Sequence, residues 1–229
     1  FSEDESTLQK AFPDIQVLNL DLRREKDVNA VIGGFLQENN GVDIVINNAG
    51  YACIGAVEEL TMDQWRSQME TNFFAVVNIC TLAIPYMRKK GVGRIVQVSS
   101  GVGQFVVPIF SPYCTSKHAL ETFSEALRYE VGQFGIGVSL IAPGPVEPKF
   151  DANREVPGEE VISQSPYRKL IQAMRSRTQK AHQRESSPED VVDKIFAAAT
   201  GKNPKLRYEV GMLGYAALLP KFIPASLLE

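Results

Sequence analysis

Tyr113-Cys114-Thr115-Ser116-Lys117 sets a phenol and an ammonium four residues apart in a stretch of helical pattern. Residues at i and i+4 share a helix face, with Cβ atoms about 5–6 Å apart. A phenol titrates near ~10 and is a poor base at neutral pH. An ammonium ~4 Å away, at an effective dielectric of ~20, contributes roughly 4 kcal/mol, or about three pKa units. On a solvated surface the same pair shifts a phenol by less than ~1 unit. Buried, a Tyr-x-x-x-Lys pair can therefore give and take a proton at physiological pH. Taken alone the spacing is common on helix surfaces.

Its company makes it specific. Ser99-Ser100 closes an apolar strand pattern, and Ser100 precedes Tyr113 by 13 residues (113 − 100). Asn47-Asn48-Ala49-Gly50 closes the strand pattern before it, and Pro143-Gly144 follows the one after. Asn72, in Glu70-Thr71-Asn72-Phe73, falls inside an apolar helical stretch. Each fits a plain structural role as turn, cap or bend. A buried Asn, however, costs about 1–3 kcal/mol when left unpaired, and the coincidence of all these features at strand ends points to one polar site.

The elements that must carry these residues alternate. Ile15–Leu20, Val42–Asn47, Arg94–Ser99, Gly137–Ala142 and the shorter Leu206–Val210 read as strands. The middle three are near-continuous Val and Ile, as parallel strands covered on both faces are. Helical patterns cover Glu25–Glu38, Thr61–Lys89 and about Pro112–Phe134. Thr61-x-x-Gln64 fits a capping box, and Ser187-Pro188-Glu189-Asp190 pairs an N-cap Ser with Pro at the first helical position. This alternation predicts an α/β fold, a Rossmann-like doubly wound parallel sheet, in a single domain over 1–229. Residues 145–187 interrupt it. They begin with Pro145, Pro148, Pro157 and Gly158, turn helical, and form an insertion at the carboxyl end of a strand, where open α/β sheets bind ligands. The apolar 212–229 end, broken by Pro220 and Pro224, reads as a C-terminal flap.

Composition excludes other classes. The chain has 229 residues, with 24 Lys+Arg against 27 Asp+Glu, for a net charge of −3. Hydrophobic residues at 44% and charged residues at 22% are globular values, which excludes disordered or collagen-like chains. An acidic balance speaks against nucleic acid as a partner. Three widely spaced cysteines, Cys53, Cys80 and Cys114, suit a reducing cytoplasm better than a disulfide framework. The polar opening Phe1–Thr7 is no signal peptide, and no apolar run reaches 18 residues, so no membrane-spanning segment is expected. His118 and His182 lack zinc spacing, so no metal is expected. Gln97 stands where a Gly-x-Ser-x-Gly elbow around Ser99 needs its first glycine, so a serine hydrolase is unsupported. The acid-free basic run Arg168–Arg184 reads as a solvated helix face.

Together, the Tyr-x-x-x-Lys pair, Ser100, Asn72, the Asn-Asn-Ala-Gly turn and Pro143-Gly144 resemble the short-chain dehydrogenase/reductase family across essentially the whole chain. The resemblance implies an NAD(P)-dependent oxidoreductase of carbonyls and alcohols. It implies a catalytic set of Asn72, Ser100, Tyr113 and Lys117: Ser100 polarises the substrate oxygen, Tyr113 exchanges the proton, Lys117 lowers the phenol pKa and holds the nicotinamide ribose, and Asn72 completes a water relay to Lys117. For the cofactor it implies Asp21 at the adenine, Asn48, Ala49 and Gly50 beside the adenosine ribose, and Pro143, Gly144 and Val146 near the nicotinamide carboxamide. Pro148 departs from the family's frequent Thr. Family members open with a strand and a Gly-rich phosphate turn. No segment here fits one, so the N-terminal βαβ unit is expected to be missing from these residues, and no cofactor is expected bound to the chain as it stands. Of the two cofactors, NADP(H) is favoured over NAD(H).

Phe110–Phe123 and Ile141–Val146 most resemble the hydroxysteroid and retinol dehydrogenase branch, which implies a lipophilic carbonyl or secondary-alcohol substrate. Val102, Phe105, Val106 and the tail from Met212 are candidate pocket walls. The alternatives are a reductase of small polar carbonyls and a non-catalytic dinucleotide-binding scaffold. The helical patterns Thr61–Lys89 and Pro112–Phe134 resemble the family's shared helix interface, so a homodimer or homotetramer is expected.

Overall fold

The structure is a computed structural model that describes residues 7, 10–144, 154–182 and 187–211. Val146 and the 212–229 flap lie outside the described residues, as does part of the 145–187 insertion.

The elements in chain order are α1 (Glu25–Glu38), β1 (Ile44–Asn47), β2 (Ala52–Cys53), α2 (Met62–Met69), α3 (Ala75–Lys90), β3 (Gly93–Val98), α4 (Ser111–Gly132), β4 (Ile136–Pro143), β5 (Arg154–Glu155), α5 (Glu159–Gln164), α6 (Arg168–His182), α7 (Pro188–Thr200) and β6 (Arg207–Val210). A four-stranded sheet runs β1-β3-β4-β6, and every pairing is parallel. Residues along β4 are buried nearly throughout, which explains its unbroken apolar sequence.

Both faces of the sheet are covered. Ile95, Ile136 and Val138 pack with Val76, Cys80 and Met87 of α3 and Leu120, Leu127 and Val131 of α4. On the other face Val96 and Ile141 meet Ala198 and Ala199 of α7 and Val210 of β6. Ile95 and Val96 thus enter opposite cores, as the two-residue strand period demands. The doubly wound arrangement read from the sequence is the one observed.

Local signals are realised at both predicted boxes. Thr61 Oγ1 accepts from the Gln64 N–H at 3.2 Å while Gln64 Oε1 accepts from the Thr61 N–H at 2.9 Å. Ser187 and Asp190 make the same reciprocal pair, with Pro188 opening α7. Gly91 ends α3 at φ 75°, the left-handed position that glycine fills without strain.

Two expectations differ from the structure. Ile15–Leu20 is not a strand: no strand pairs with it among the described residues, and Ile15 and Leu18 are exposed. An apolar run becomes a strand only where a neighbour takes its backbone groups. Thr61–Lys89 is not one α-helix either. A π-helical turn, Glu70–Phe74, separates α2 from α3; such turns are rare and concentrate at functional sites. In addition, a short parallel pair, β2 with β5, was not legible in the sequence and ties Arg154–Glu155 of the insertion to Ala52–Cys53.

Candidate active site

Three adjacent parallel strands end at one rim of the sheet, and each delivers polar residues there. β1 ends in Asn47 and leads into Asn48, Ala49 and Gly50. β3 is followed by Ser99 and Ser100, and β4 ends at Pro143 and Gly144. Asn48 and Ala49 are exposed. Asn47 is buried, and its Nδ2 donates 2.8 Å to Oε1 of Gln97, its register partner on β3. The Gly144 N–H donates to the Val210 carbonyl at 3.0 Å, fixing the β4 end against β6.

Tyr113 and Lys117 occupy successive turns of α4, and both are buried. Lys117 Nζ lies 5.8 Å from the Tyr113 ring centroid and donates to the Val98 carbonyl at 2.8 Å. Burial pushes the ammonium down to about 8. It remains mostly charged at neutral pH, in a medium where that charge acts strongly on its neighbours.

The π turn places Asn72 behind this pair. Asn72 is 1% exposed. Its Oδ1 accepts from the Tyr51 N–H at 3.2 Å, and its Nδ2 donates to the Tyr51 carbonyl at 3.0 Å and to Ser116 Oγ at 3.1 Å. Ser116 Oγ in turn donates to the Tyr113 carbonyl at 2.8 Å. Gly50 completes the cluster: a Cβ there would stand 3.2 Å from Asn72 Oδ1 and 3.8 Å from Lys117 Nζ. Asn72, Gly50, Tyr113 and Lys117 therefore converge, which explains the burial of an amide in an otherwise apolar stretch.

Ser100 is half-buried at the head of a 3₁₀ turn, Gly101–Gly103, that packs against α4. Its Oγ accepts from the Val102 N–H at 3.4 Å. Before α4, Ile109 sits at φ 64°. A β-branched residue there costs on the order of 1–3 kcal/mol. Burial of its side chain and a 2.9 Å bond from the Gly55 N–H to its carbonyl hold it in place.

Around Tyr113 the walls are apolar: Ile54, Ile109, Ile162, Ile171 and Met174, with Val102 and Val107 against them. Ile162, Ile171 and Met174 come from α5 and α6, so these described parts of the 145–187 segment pack in the same cluster as Tyr113. Val106 does not join this wall. It is 75% exposed and lines a separate groove with Phe73 and Phe123. Asp21 stands apart, its carboxylate gripped by Arg23 at 2.8 and 2.9 Å and held down to about 2 by that guanidinium.

Sequence reasoning missed two supports. Gln68, one turn before Asn72, is fully buried; its Oε1 accepts from the Cys53 N–H at 2.7 Å and its Nε2 donates to the Tyr51 carbonyl at 2.9 Å. Glu121, one turn after Lys117, accepts from Ser99 Oγ at 2.5 Å. In both cases the signal was a polar residue repeating a site residue's helix face. Among the described residues no three His, Cys, Asp or Glu are grouped to hold a metal, and no helix is long and apolar enough to cross a membrane.

Residues 3–157 match the family model described as short chain dehydrogenase. The chain belongs to that family. It is 36% identical over 203 residues to the oxidoreductase YusZ of Bacillus subtilis, covering 86% of this chain and 71% of that protein. It is 34% identical over 200 residues to a 3-ketodihydrosphingosine reductase of Bacteroides thetaiotaomicron, covering 87% and 74%. Among solved structures, a short-chain dehydrogenase from Streptomyces avermitilis superposes with a TM-score of 0.75 at 28% identity, covering 94% of this chain and 79% of that one. This short-chain dehydrogenase is accordingly an oxidoreductase.

Proposed function

We propose that this short-chain dehydrogenase interconverts a lipophilic carbonyl and its secondary alcohol with NADP(H) or NAD(H). The observation that carries the reading is the buried Tyr113–Lys117 pair, with its ammonium tied to the Val98 carbonyl. In reduction, Tyr113 Oη gives its proton to the substrate oxygen and Ser100 Oγ–H donates a hydrogen bond to the same oxygen. The Lys117 ammonium stabilises the phenolate left behind. Asn72, held at Tyr51 and Ser116, completes a water relay to Lys117 on this reading. When bound, the nicotinamide supplies a hydride at C4 to the carbonyl carbon.

The residues present fit the nicotinamide end of such a cofactor. Lys117 has three N–H donors and, among the described residues, one hydrogen bond, which leaves donors for ribose hydroxyls. Gly50 leaves open the space beside Asn72 and Lys117 that a side chain would fill. On this reading Asn48, Ala49 and Gly50 form the floor near the adenosine ribose, Asp21 lies at the adenine, and Pro143, Gly144 and Val146 meet the carboxamide. Arg23 and Arg24 both reach Asp21, and Arg24 also lies 3.7 Å from Asp27 Oδ2, so these side chains are matched in charge.

The apolar wall around Tyr113 supports a lipophilic substrate, as does the similarity to a protein named 3-ketodihydrosphingosine reductase. Each substrate methylene buried there contributes about 0.8 kcal/mol, so four amount to roughly 200-fold in kcat/KM. With NADPH oxidation followed by absorbance, long-chain ketones, retinaldehyde and ketosteroids should exceed small polar carbonyls by that order. Equal or lower values for the lipophilic compounds would overturn the substrate class.

The chain is read as one cofactor-binding unit over 1–229, with 145–187 as substrate loop and 212–229 as flap. Three free, buried cysteines support a reducing, cytoplasmic setting. The chain is also expected to form a homodimer or homotetramer. An open apolar groove of about 860 Å³ along α4, lined by Phe73, Val106, Cys114, His118, Thr122 and Phe123, supports that partner. Sedimentation should show a dimer or tetramer at micromolar concentration, and Thr122→Arg should shift it to monomer. A monomeric parent would contradict this.

A further inference from the structure

We propose that Ser99, Glu121 and Arg207 form a buried positioning clamp that sets the Ser100 turn against the Tyr113–Lys117 helix. The proposal rests on the reading of Ser100 and Tyr113 as the groups that meet substrate. None of the three clamp residues touches the reacting atoms in that reading.

The geometry is a double stitch between the end of β3 and one face of α4. Lys117 Nζ donates to the Val98 carbonyl at 2.8 Å. One residue on, Ser99 Oγ donates to Glu121 Oε1 at 2.5 Å. Lys117 and Glu121 are one helical turn apart, so consecutive residues of the strand end are held by consecutive turns of the helix. Ser100 is the next residue, and the backbone between the stitch and its hydroxyl is a single peptide.

The turn after Ser100 is built onto the same carboxylate. The Gly103 N–H closes back on the Ser100 carbonyl at 2.9 Å, and the Gln104 N–H on Gly101 at 3.0 Å. A Cβ on Gly103 would stand 2.8 Å from Glu121 Cγ and 2.9 Å from Ser99 Oγ. Only a glycine lets the turn lie this close, so Glu121 and Ser99 are in effect its floor.

Glu121 is held from its other side by β6. Arg207 donates to Glu121 Oε2 and lies 3.7 Å from Glu209 Oε1. The Gln104 amide, turned with its oxygen toward Arg207, accepts from Nε at 3.0 Å. Glu121, Ser99 and Glu209 are all buried, and Arg207 is largely so. An ion pair in such a place contributes little net stability over an apolar filling, yet removing one partner is costly. It fixes a single arrangement of α4, the β3 end and β6. A displacement of about 1 Å at a reacting group can cost on the order of 100-fold in rate, so this network is placed where position matters most.

The test is Ser99→Ala in the full chain, with amide hydrogen exchange and turnover both measured. Exchange across residues 100–104 should accelerate at least tenfold while β3 and β4 amides stay as protected as in the parent. With NADPH and the best carbonyl of the panel, kcat should fall about 10–100-fold, the primary deuterium isotope effect should rise, and the NADPH Kd should stay within about twofold. Ser99→Thr, which keeps the hydroxyl, should restore kcat to within about threefold. Glu121→Gln, which keeps the shape, should loosen the same residues if Ser99→Ala fails to fold. Unchanged exchange over 100–104, loosening spread equally over the sheet, or local loosening without loss of kcat would each overturn the clamp. A parent that binds NADPH yet is inactive toward every carbonyl would sink the carbonyl-reductase reading of this site instead, and the exchange pattern would still decide the clamp.

Discussion

Tyr113→Phe is expected to lower turnover by about 10²–10⁴-fold, the range that positioned acid–base groups contribute, with the fold intact. Tyr113 is 7% exposed and packs among Ile54, Ile109, Ile162 and Ile171. Phe keeps that packing and removes only the phenolic oxygen. The comparison is kcat at saturating cofactor, with melting temperature as control. Turnover within tenfold of the parent would remove Tyr113 from the chemistry.

Lys117→Met should have the next largest effect, about 10²–10³-fold at neutral pH, and its pH dependence is diagnostic. The ammonium lies 5.8 Å from the Tyr113 ring centroid. At an effective dielectric of ~20 that distance corresponds to roughly 3 kcal/mol, or about two pKa units of phenol stabilisation. Met fills the space of the stem without the charge. Since burial holds the Lys117 ammonium at about 8, carbonyl reduction by the parent should decline above that pH as the charge is lost. In Lys117→Met that limb should disappear.

The stability sign runs the other way. The folded pKa lies below the ordinary lysine value of 10.5. Between about 8 and 10.5 the unfolded chain therefore binds more protons, and this group's contribution to stability rises with pH. At pH 7 the buried ammonium is a net cost, partly offset by its bond to Val98. Lys117→Met should thus retain or gain stability while losing activity, as groups kept for function rather than for folding do. A parallel loss of both would contradict that assignment.

The sequence made the sheet and the Tyr113–Lys117 pair legible for a common reason: both rest on short-range pattern. Val and Ile runs mark β1, β3 and β4, and Tyr113 and Lys117 meet because a helix repeats every 3.6 residues. Ile15–Leu20 carries the same apolar signal without becoming a strand, because pairing is a property of the neighbour and not of the segment. The π turn at Glu70–Phe74 has no residue signature of its own, so Thr61–Lys89 looked continuous. That extra residue per turn is nonetheless part of how Asn72 comes to bracket Tyr51. The Ser99–Glu121–Arg207 network joins residues 22 and 86 positions apart, and no local pattern announces a contact at such separations. Val106 was misplaced because hydrophobicity alone does not say on which side of α4 a loop residue will lie.

Isotope transfer reads out whether hydride and proton reach the carbonyl at this site. The protein would be incubated with NADPH deuterated at nicotinamide C4 and the preferred carbonyl of the panel, and the product analysed by mass spectrometry. The expected product is an alcohol with one deuterium on the carbinol carbon, formed by the parent and not by Tyr113→Phe over the same interval. An alcohol without deuterium, or equal transfer by the variant, would contradict it.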